Sequence, residues 1–436
     1  MGRLTCASLI LIVAATSDGL GEGNSQWIGQ RVVTRPGVPL RVEGRVVDTG
    51  NQQRVYTVGQ ANGNWLWLRS TAASGWVPTD QVVRFDEAIA ECTRDIEKHP
   101  DLIGGYARRG LLWVSAEDFD KALVDFNKAL ELRPFNAPLR VYRGSARLRK
   151  QEYDGAIADL NEAIQFQTVF PEPFLLRAMA WSAKHEYAKA IADYDEVLKR
   201  DRANLDALLK RAYAWYRVGD YDRTIIDYDE VLKHAPANAE AHRWRGSAWQ
   251  GKGDYKRAIA DYNEALRIDP NDAWVHLTRG ESWHALKDYD SAIADYDRSI
   301  ALAPRDYAAY MRRGWAWQDK LSYDKALADF EQAKKLKPDE SAPYVALALI
   351  WMKCPDPKFR DAEKAVKAAT RACALSAWKN PTNLNVLAMA YAEAGDLDRA
   401  IEIQSKANQI ASDETAKSTG ERRIEMWQEM KKKCSK

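Results

Sequence analysis

The rhythm of hydrophobic and polar positions changes twice along the 436 residues. Behind Arg3, residues 4–15 form an apolar run too short to cross a bilayer. A polar Gly/Asn/Ser stretch, 18–25, follows. Between about 26 and 84 the apolar residues come in short β-branched or aromatic runs, at 31–34, 45–47, 54–58 and 65–68. Turn signals separate them: Pro36-Gly37, Asp48-Thr49-Gly50-Asn51 and Asn62-Gly63-Asn64. The pattern predicts about five short strands closing a small all-β barrel over 26–84. From Phe85 apolar residues recur at spacings of three and four, the period of amphipathic helices. Within 237–270, two such segments flank Gly253-Asp254, and Asp269-Pro270 closes the second. Proline disfavours the α region for its predecessor, so each unit is a predicted helical hairpin.

The hairpins recur on a fixed ruler. The hexamer AIADYD stands at 190–195 and 292–297, and AIADYN at 258–263, so the separations are 68 and 34 residues. On the same period lie Trp113, Trp181, Trp215, Trp249, Trp283, Trp317 and Trp351. Three residues earlier stand Gly110, Gly144, Gly246, Gly280 and Gly314, with Ala178 and Ala212 in the same role. Phe119, Tyr153, Tyr187, Tyr221, Tyr255, Tyr289 and Tyr323 open second helices, and Pro134, Pro236, Pro270, Pro304 and Pro338 close units. These positions resemble those of the tetratricopeptide repeat (TPR) family over roughly three quarters of the chain.

The resemblance implies a mainly α fold, a solenoid of helical hairpins wound as a right-handed superhelix. Small residues would let the paired helices approach, and Trp113 and its equivalents would be core wedges. The array spans 85–411: a half repeat at 85–100, seven regular repeats within 103–338, and two divergent ones. The eighth carries five extra residues around Cys354 and Pro357, and the ninth is 381–411. Residues 412–436 read as a capping helix with Ile424, Trp427 and Met430 on one side. In the β region, Gly63-Asn64-Trp65-Leu66-Trp67 and Gly75-Trp76-Val77-Pro78 resemble the bacterial SH3-like family. At least one of Trp65, Trp67 and Trp76 is expected in the barrel interior.

One departure from the usual TPR pattern, which has Leu at the first of two positions, comes in pairs. Arg109, Arg143, Arg177, Arg211, Arg245, Arg279 and Arg313 are each followed sixteen residues later by Asp125, Asp159, Asp193, Asp227, Asp261, Asp295 and Asp329. In the eighth repeat both become apolar, Leu347 and Ala368, and in the ninth they are Leu387 and Ile403. Antiparallel helices bring the two positions together, which predicts a ladder of semi-buried Arg–Asp pairs. The planar guanidinium suits it, because it can bond a carboxylate through two N–H groups. The alternative is a row of solvated surface pairs.

Composition and charge narrow the function. Basic and acidic residues number 64 and 62, so no electrostatic case for nucleic acid arises. With 16 Trp and 19 Tyr the chain is too aromatic for disorder. His99, His185, His234, His242, His276 and His284 form no helical metal face, and the cysteines Cys6, Cys92, Cys354, Cys373 and Cys434 make no metal motif. Cys354 and Cys373 lie close enough in sequence to pair, though reduced, half-buried thiols are the expected state. No nucleophile elbow, P-loop or dinucleotide fingerprint occurs. The expectation is therefore no enzyme, no metal and no cofactor.

Binding remains. In the TPR family the first helices line a concave groove. The variable residues opposite the Arg/Gly/Trp stripe include Tyr213, Tyr216, Arg217, Arg243, Gln250, Trp274, Glu281, His284, Trp315 and Gln318. Aromatic rings mixed with polar groups suit an extended protein segment. The sites of the family's Asn-containing carboxylate clamp hold Ser145, Met179, Tyr213, Ser247 and Glu281, which argues against a terminal carboxylate as ligand. The leading expectation is an exported, periplasmic or secreted, protein–protein scaffold, since Arg3, the apolar run and Ala14, Ala15, Ser17 and Gly19 read as a signal peptide over 1–20. Attachment to cell-wall peptides through the SH3-like region is one alternative. A cytosolic adaptor, with no cleaved segment, is another.

Overall fold

The computed structural model describes residues 25–35, 38–42, 45–48, 55–70, 73–166 and 170–434. The signal segment and Cys6 lie outside these, as does the turn expected at Pro36-Gly37. By compactness the chain divides into Met1–Ala214 and Trp215–Lys436.

The first unit opens with seven strands: β1 Arg31–Thr34, β2 Leu40–Val42, β3 Arg45–Asp48, β4 Val55–Asn62, β5 Trp65–Arg69, β6 Ser74–Pro78 and β7 Val82–Arg84. They form one antiparallel sheet in the order β3-β2-β6-β5-β4-β1-β7. Two more strands are present than the pattern predicts. Gly75–Pro78 belongs to a strand of its own, β6, which leads through a 3-10 turn at Thr79–Gln81 into the last strand, β7. Strand alternation sends Leu66 and Leu68 inward to join Val32, Leu40, Tyr56, Val58 and Val77. Trp65 is therefore exposed, and Trp67 and Trp76, cross-strand partners, stay half-buried outside that core with their rings edge-to-face at 5.4 Å. None of the three fills the interior; Trp27 packs against it instead.

No linker follows the sheet. β7 ends at Arg84 and the first helix, Phe85–Lys98, begins at the next residue. Val33 and Val83 share a cluster with Phe85, Cys92 and Leu112, and the Arg31 guanidinium lies 4.5 Å from the Phe85 ring centroid. Helical hairpins follow, from Ile103–Ser115 with Phe119–Leu132 onward.

Every hairpin but the eighth, whose first helix runs out at Cys354 with φ −56°, is built by the same local chemistry. The first helix ends on a residue in the left-handed region: Glu117, Gln151, His185, Gly219, Gly253, Lys287, Leu321 and Gly395. The next residue caps the second helix, and its N–H reaches back to a carbonyl five residues earlier, as from Asp254 to Trp249 at 2.9 Å. Asp118, Asp220, Asp254, Asp288 and Asp396 each accept from the backbone three residues on, the N-cap bond. The small position lets the helices close: a Cβ added at Gly280 would stand 2.7 Å from the Tyr296 ring.

The periodic tryptophans are not fully buried wedges. Trp113, Trp181, Trp215, Trp249 and Trp317 are half-buried, and each carries the cation of the residue eight positions on. Lys121, Lys189, Arg223, Arg257 and Lys325 lie 4.1–4.5 Å from their ring centroids. The ring covers the hairpin core on one face and holds a charged stem on the other.

The second unit continues with hairpins such as Ala239–Gly251 with Tyr255–Ile268, through Tyr307–Asp319 with Tyr323–Leu336. The eighth repeat pairs Ser341–Lys353 with Ala362–Leu375, and the ninth Pro381–Glu393 with Leu397–Ile410. The last helix, Glu414–Cys434, buries Trp427 against Leu384, Ala400 and Ile403. Met430 is exposed and Ile424 half-buried, so the cap is anchored by one ring rather than three side chains. Among the described residues no helix is long and apolar enough to cross a membrane.

Candidate interaction surface

The Arg–Asp ladder occupies the contact between paired helices. In six repeats the guanidinium donates twice to its Asp, with Nη2···Oδ1 at 2.5–2.7 Å and Nε···Oδ2 at 2.8–2.9 Å. These Asp residues are at most 5% exposed, and their Arg partners about a fifth. Of the seventh pair, Arg211 lies in the first unit and Asp227, equally buried, in the second. The hydrogen bonds that Arg109 donates to Asp125 raise the pKa of its guanidinium above the ordinary value. Burial pushes the Asp295 carboxyl up, but Arg279 and His276 outweigh it and hold the group below its ordinary range.

A third member of each rung escapes the sequence reading. The remaining nitrogen, Nη1, crosses to the preceding repeat and donates to the residue two positions after that repeat's Asp. Arg143 reaches Asn127, Arg177 Asn161, Arg211 Asp195, Arg245 Asp229, Arg279 Asn263 and Arg313 Asp297, at 2.5–2.8 Å. Each Arg thus ties two repeats. Two histidines join in: His242 lies 3.1 Å from Asp261, and His276 3.2 Å from Asp295. Their other ring nitrogens face the carbonyls of Pro236 and Pro270. The signal for the third member was present, since Asn or Asp stands sixteen residues before each Arg from Arg143 to Arg313, and Thr93, which accepts from Arg109 at 3.0 Å, stands in the same place before the first.

With those positions absorbed by architecture, the variable residues of the first helices remain. In the second unit, Tyr216, Trp244 and Trp274 form a run of rings, with centroid separations of 5.2 and 5.5 Å. Tyr221 extends it at 5.8 Å. The Arg243 guanidinium lies 5.3 and 5.5 Å from the Trp244 and Trp274 rings, and Asp272 holds it at 3.2 Å. Trp274 is the exposed end. Trp244, central to this cluster, is absent from the sequence-derived set; its neighbour Arg243 is in it.

A polar group follows. Gln250 donates to Glu281 at 3.3 Å and accepts from the Tyr262 hydroxyl at 2.8 Å, and Arg312 meets Glu281 at 2.6 Å. His284 sits 2.9 Å from Asp319 and stacks near Tyr289. Gln318 lines a cavity of about 360 Å3 with Tyr323, Leu349 and Cys354. Trp315, half-buried, packs edge-on against Phe330 at 5.0 Å, beside a buried cluster. Arg217 is exposed, and Tyr213 is half-buried in the first unit. Cys92, Cys354 and Cys373 are free and fully buried, more so than expected, and burial pushes the Cys373 thiol up to about 11.

Family models describe the helical region consistently. Residues 108–168, 175–230 and 285–341 match a tetratricopeptide repeat, 251–287 a TPR repeat and 382–414 a tetratricopeptide repeat. The chain is a tetratricopeptide repeat protein. No curated protein sequence matches it. Among solved structures it is similar to MamA, at 25% identity over 37% of this chain and 94% of that one, with a TM-score of 0.36. A TPR protein from Parabacteroides merdae shares 19% identity over 60% and 98%, with a TM-score of 0.44. YrrB, described as a TPR protein with an unusual peptide-binding site, shares 20% over 46% and 100%, at 0.41.

Proposed function

We propose that the protein is a non-catalytic protein–protein interaction scaffold whose second unit receives an extended partner segment on its first helices. The observation that carries this is the Tyr216–Trp244–Trp274 run with Arg243 laid against two of its rings. Side chains that repeat are occupied in rungs, caps and cores; these do not repeat, so the architecture common to the hairpins does not call for them. Large rings supply contact area at low entropic cost, and Arg supplies orientation, the combination that dominates protein interfaces. Crosslinking capture with the full chain, beside an Arg243→Ala/Trp244→Ala/Trp274→Ala variant of unchanged helicity, tests it. Partners captured by the wild type and lost from the variant support the reading; an identical set from both overturns it.

Export belongs to the same proposal and rests on residues 1–20. Mass spectrometry of the mature N-terminus decides it, and an intact Met1 would return the protein to the cytosolic alternative. The SH3-like assignment rests on the Gly63–Trp67 and Gly75–Pro78 resemblance and on a small antiparallel sheet where it was expected.

A further inference from the structure

The eighth repeat has lost a rung. In the regular repeats the guanidinium fills the space between its own Asp and the acceptor of the preceding repeat. In the eighth those three positions hold Leu347, Ala368 and Glu331. The hairpin itself is kept: Asp361 donates to the Trp351 carbonyl at 2.9 Å, the bond that Asp254 makes to Trp249. The extra residues are absorbed in the turn, through a 3-10 turn at Pro357–Phe359. What changes is the space beside the missing side chain, where a cavity of about 230 Å3 opens.

Its walls differ in kind from those of a rung. Leu347 and Ala368, the two replacements, line it together with the Tyr344 and Trp351 rings. Lys334, Lys364, Lys367 and Arg371 complete the lining, and no carboxylate is among the lining residues. Lys334 is itself a substitution, because the same position holds the buried Leu130, Leu198, Leu232 and Leu266 in other repeats. Its ammonium lies 6.0 Å from the Tyr344 ring. The four cations meet Glu331, Asp361, Glu363 and Asp339, all solvent-accessible. Such surface pairs contribute little and exchange readily for another carboxylate.

We propose that this vacated rung is a second binding site, for an acidic segment of a partner protein that inserts one bulky apolar side chain. The apolar walls take the side chain, and the surrounding cations take carboxylates on either side of it. The site shares no residue with the Tyr216–Trp244–Trp274 surface, so either stands if the other fails.

The test is fluorescence anisotropy with the full chain and a short fluorescein-labelled peptide in which one Phe stands among Asp and Glu. Saturable binding that weakens with salt is expected, and Phe→Ala in the peptide should weaken it about tenfold. Leu347→Arg with Ala368→Asp rebuilds the rung and should fill the cavity, with binding again down about tenfold or more. Lys367→Glu with Arg371→Glu keeps the cavity and cancels the positive charge of its lining; it gives the same loss and serves if the first variant does not fold. Trp244→Ala should bind as the wild type does. No saturable binding by the wild type, unchanged binding by the charge-cancelled variant, or retention on phosphatidylserine vesicles without peptide binding would each overturn the proposal.

Discussion

Asp261 accepts from Arg245 through both oxygens and also faces His242, so its removal leaves a half-buried guanidinium with Asp229 alone of its two carboxylates. Asp261→Ala should therefore cost roughly 3 kcal/mol in urea unfolding, and joining it to Arg245→Leu should recover much of that. A double-mutant coupling below about 0.5 kcal/mol would place the pair among exposed ones. The rung also carries a pH signature. Asp295 sits below its ordinary 3.8, held there by Arg279 and His276 against burial. Its contribution is present above the unfolded value and is lost as pH falls through the folded one. Asp295→Asn should accordingly cost more stability near neutrality than under acid conditions, measured by denaturation at each pH. Cys373 runs the other way, with burial and a pKa of about 11 making it inert. Iodoacetamide mapping should leave it unlabelled until the chain unfolds. At this scale the Arg–Asp pair was legible because both residues turn apolar together. The third member was not, because it alternates between Asn and Asp and looks like ordinary surface.

Outside the eighth repeat, the tight hairpin turn places a left-handed residue at the end of each first helix, and only some repeats have glycine there. Lys287 and Leu321 hold it at φ of 64° and 61°. A side chain costs about 1 kcal/mol in that region, so Lys287→Gly should raise the unfolding midpoint despite glycine's looser unfolded state. A lowered midpoint would mean that the Lys287 side chain carries contacts worth more than the strain. Gly253-Asp254 could be read as a stop and start because its sequence matches its backbone need. The other turns met the same need with Glu117, Gln151 and His185, which propensity alone does not flag. The tryptophans show a similar division. Their period announces a shared role, but the cation eight residues later, which leaves them half-buried, is a contact across the hairpin that only tertiary structure displays. Trp65, Trp67 and Trp76 failed as core residues for a plainer reason: alternation along β5 and β6 gave the interior to leucine and valine.

Across the molecule, stability is expected to follow neighbour contacts, as in repeat proteins generally. Trp427, in the terminal helix, is buried against the ninth repeat. Trp427→Ala should cost roughly 3–5 kcal/mol locally, and hydrogen exchange should rise first in 381–434. The regular array was readable because one ruler repeats seven times. The candidate surface was only partly readable, since Trp244 repeats with nothing and its role depends on rings contributed by two other helices. The inter-repeat bond has a further consequence. Because each Arg from Arg143 to Arg313 needs only an Asn or Asp sixteen residues upstream, one unit can be excised and its neighbours still fit. Removing 239–272 would place Arg279 against Asp229 in place of Asn263, an acceptor of the same kind. The shortened chain should fold. The regular repeats are thus interchangeable parts, and a lineage can lengthen or shorten this protein by whole units without redesigning a single joint.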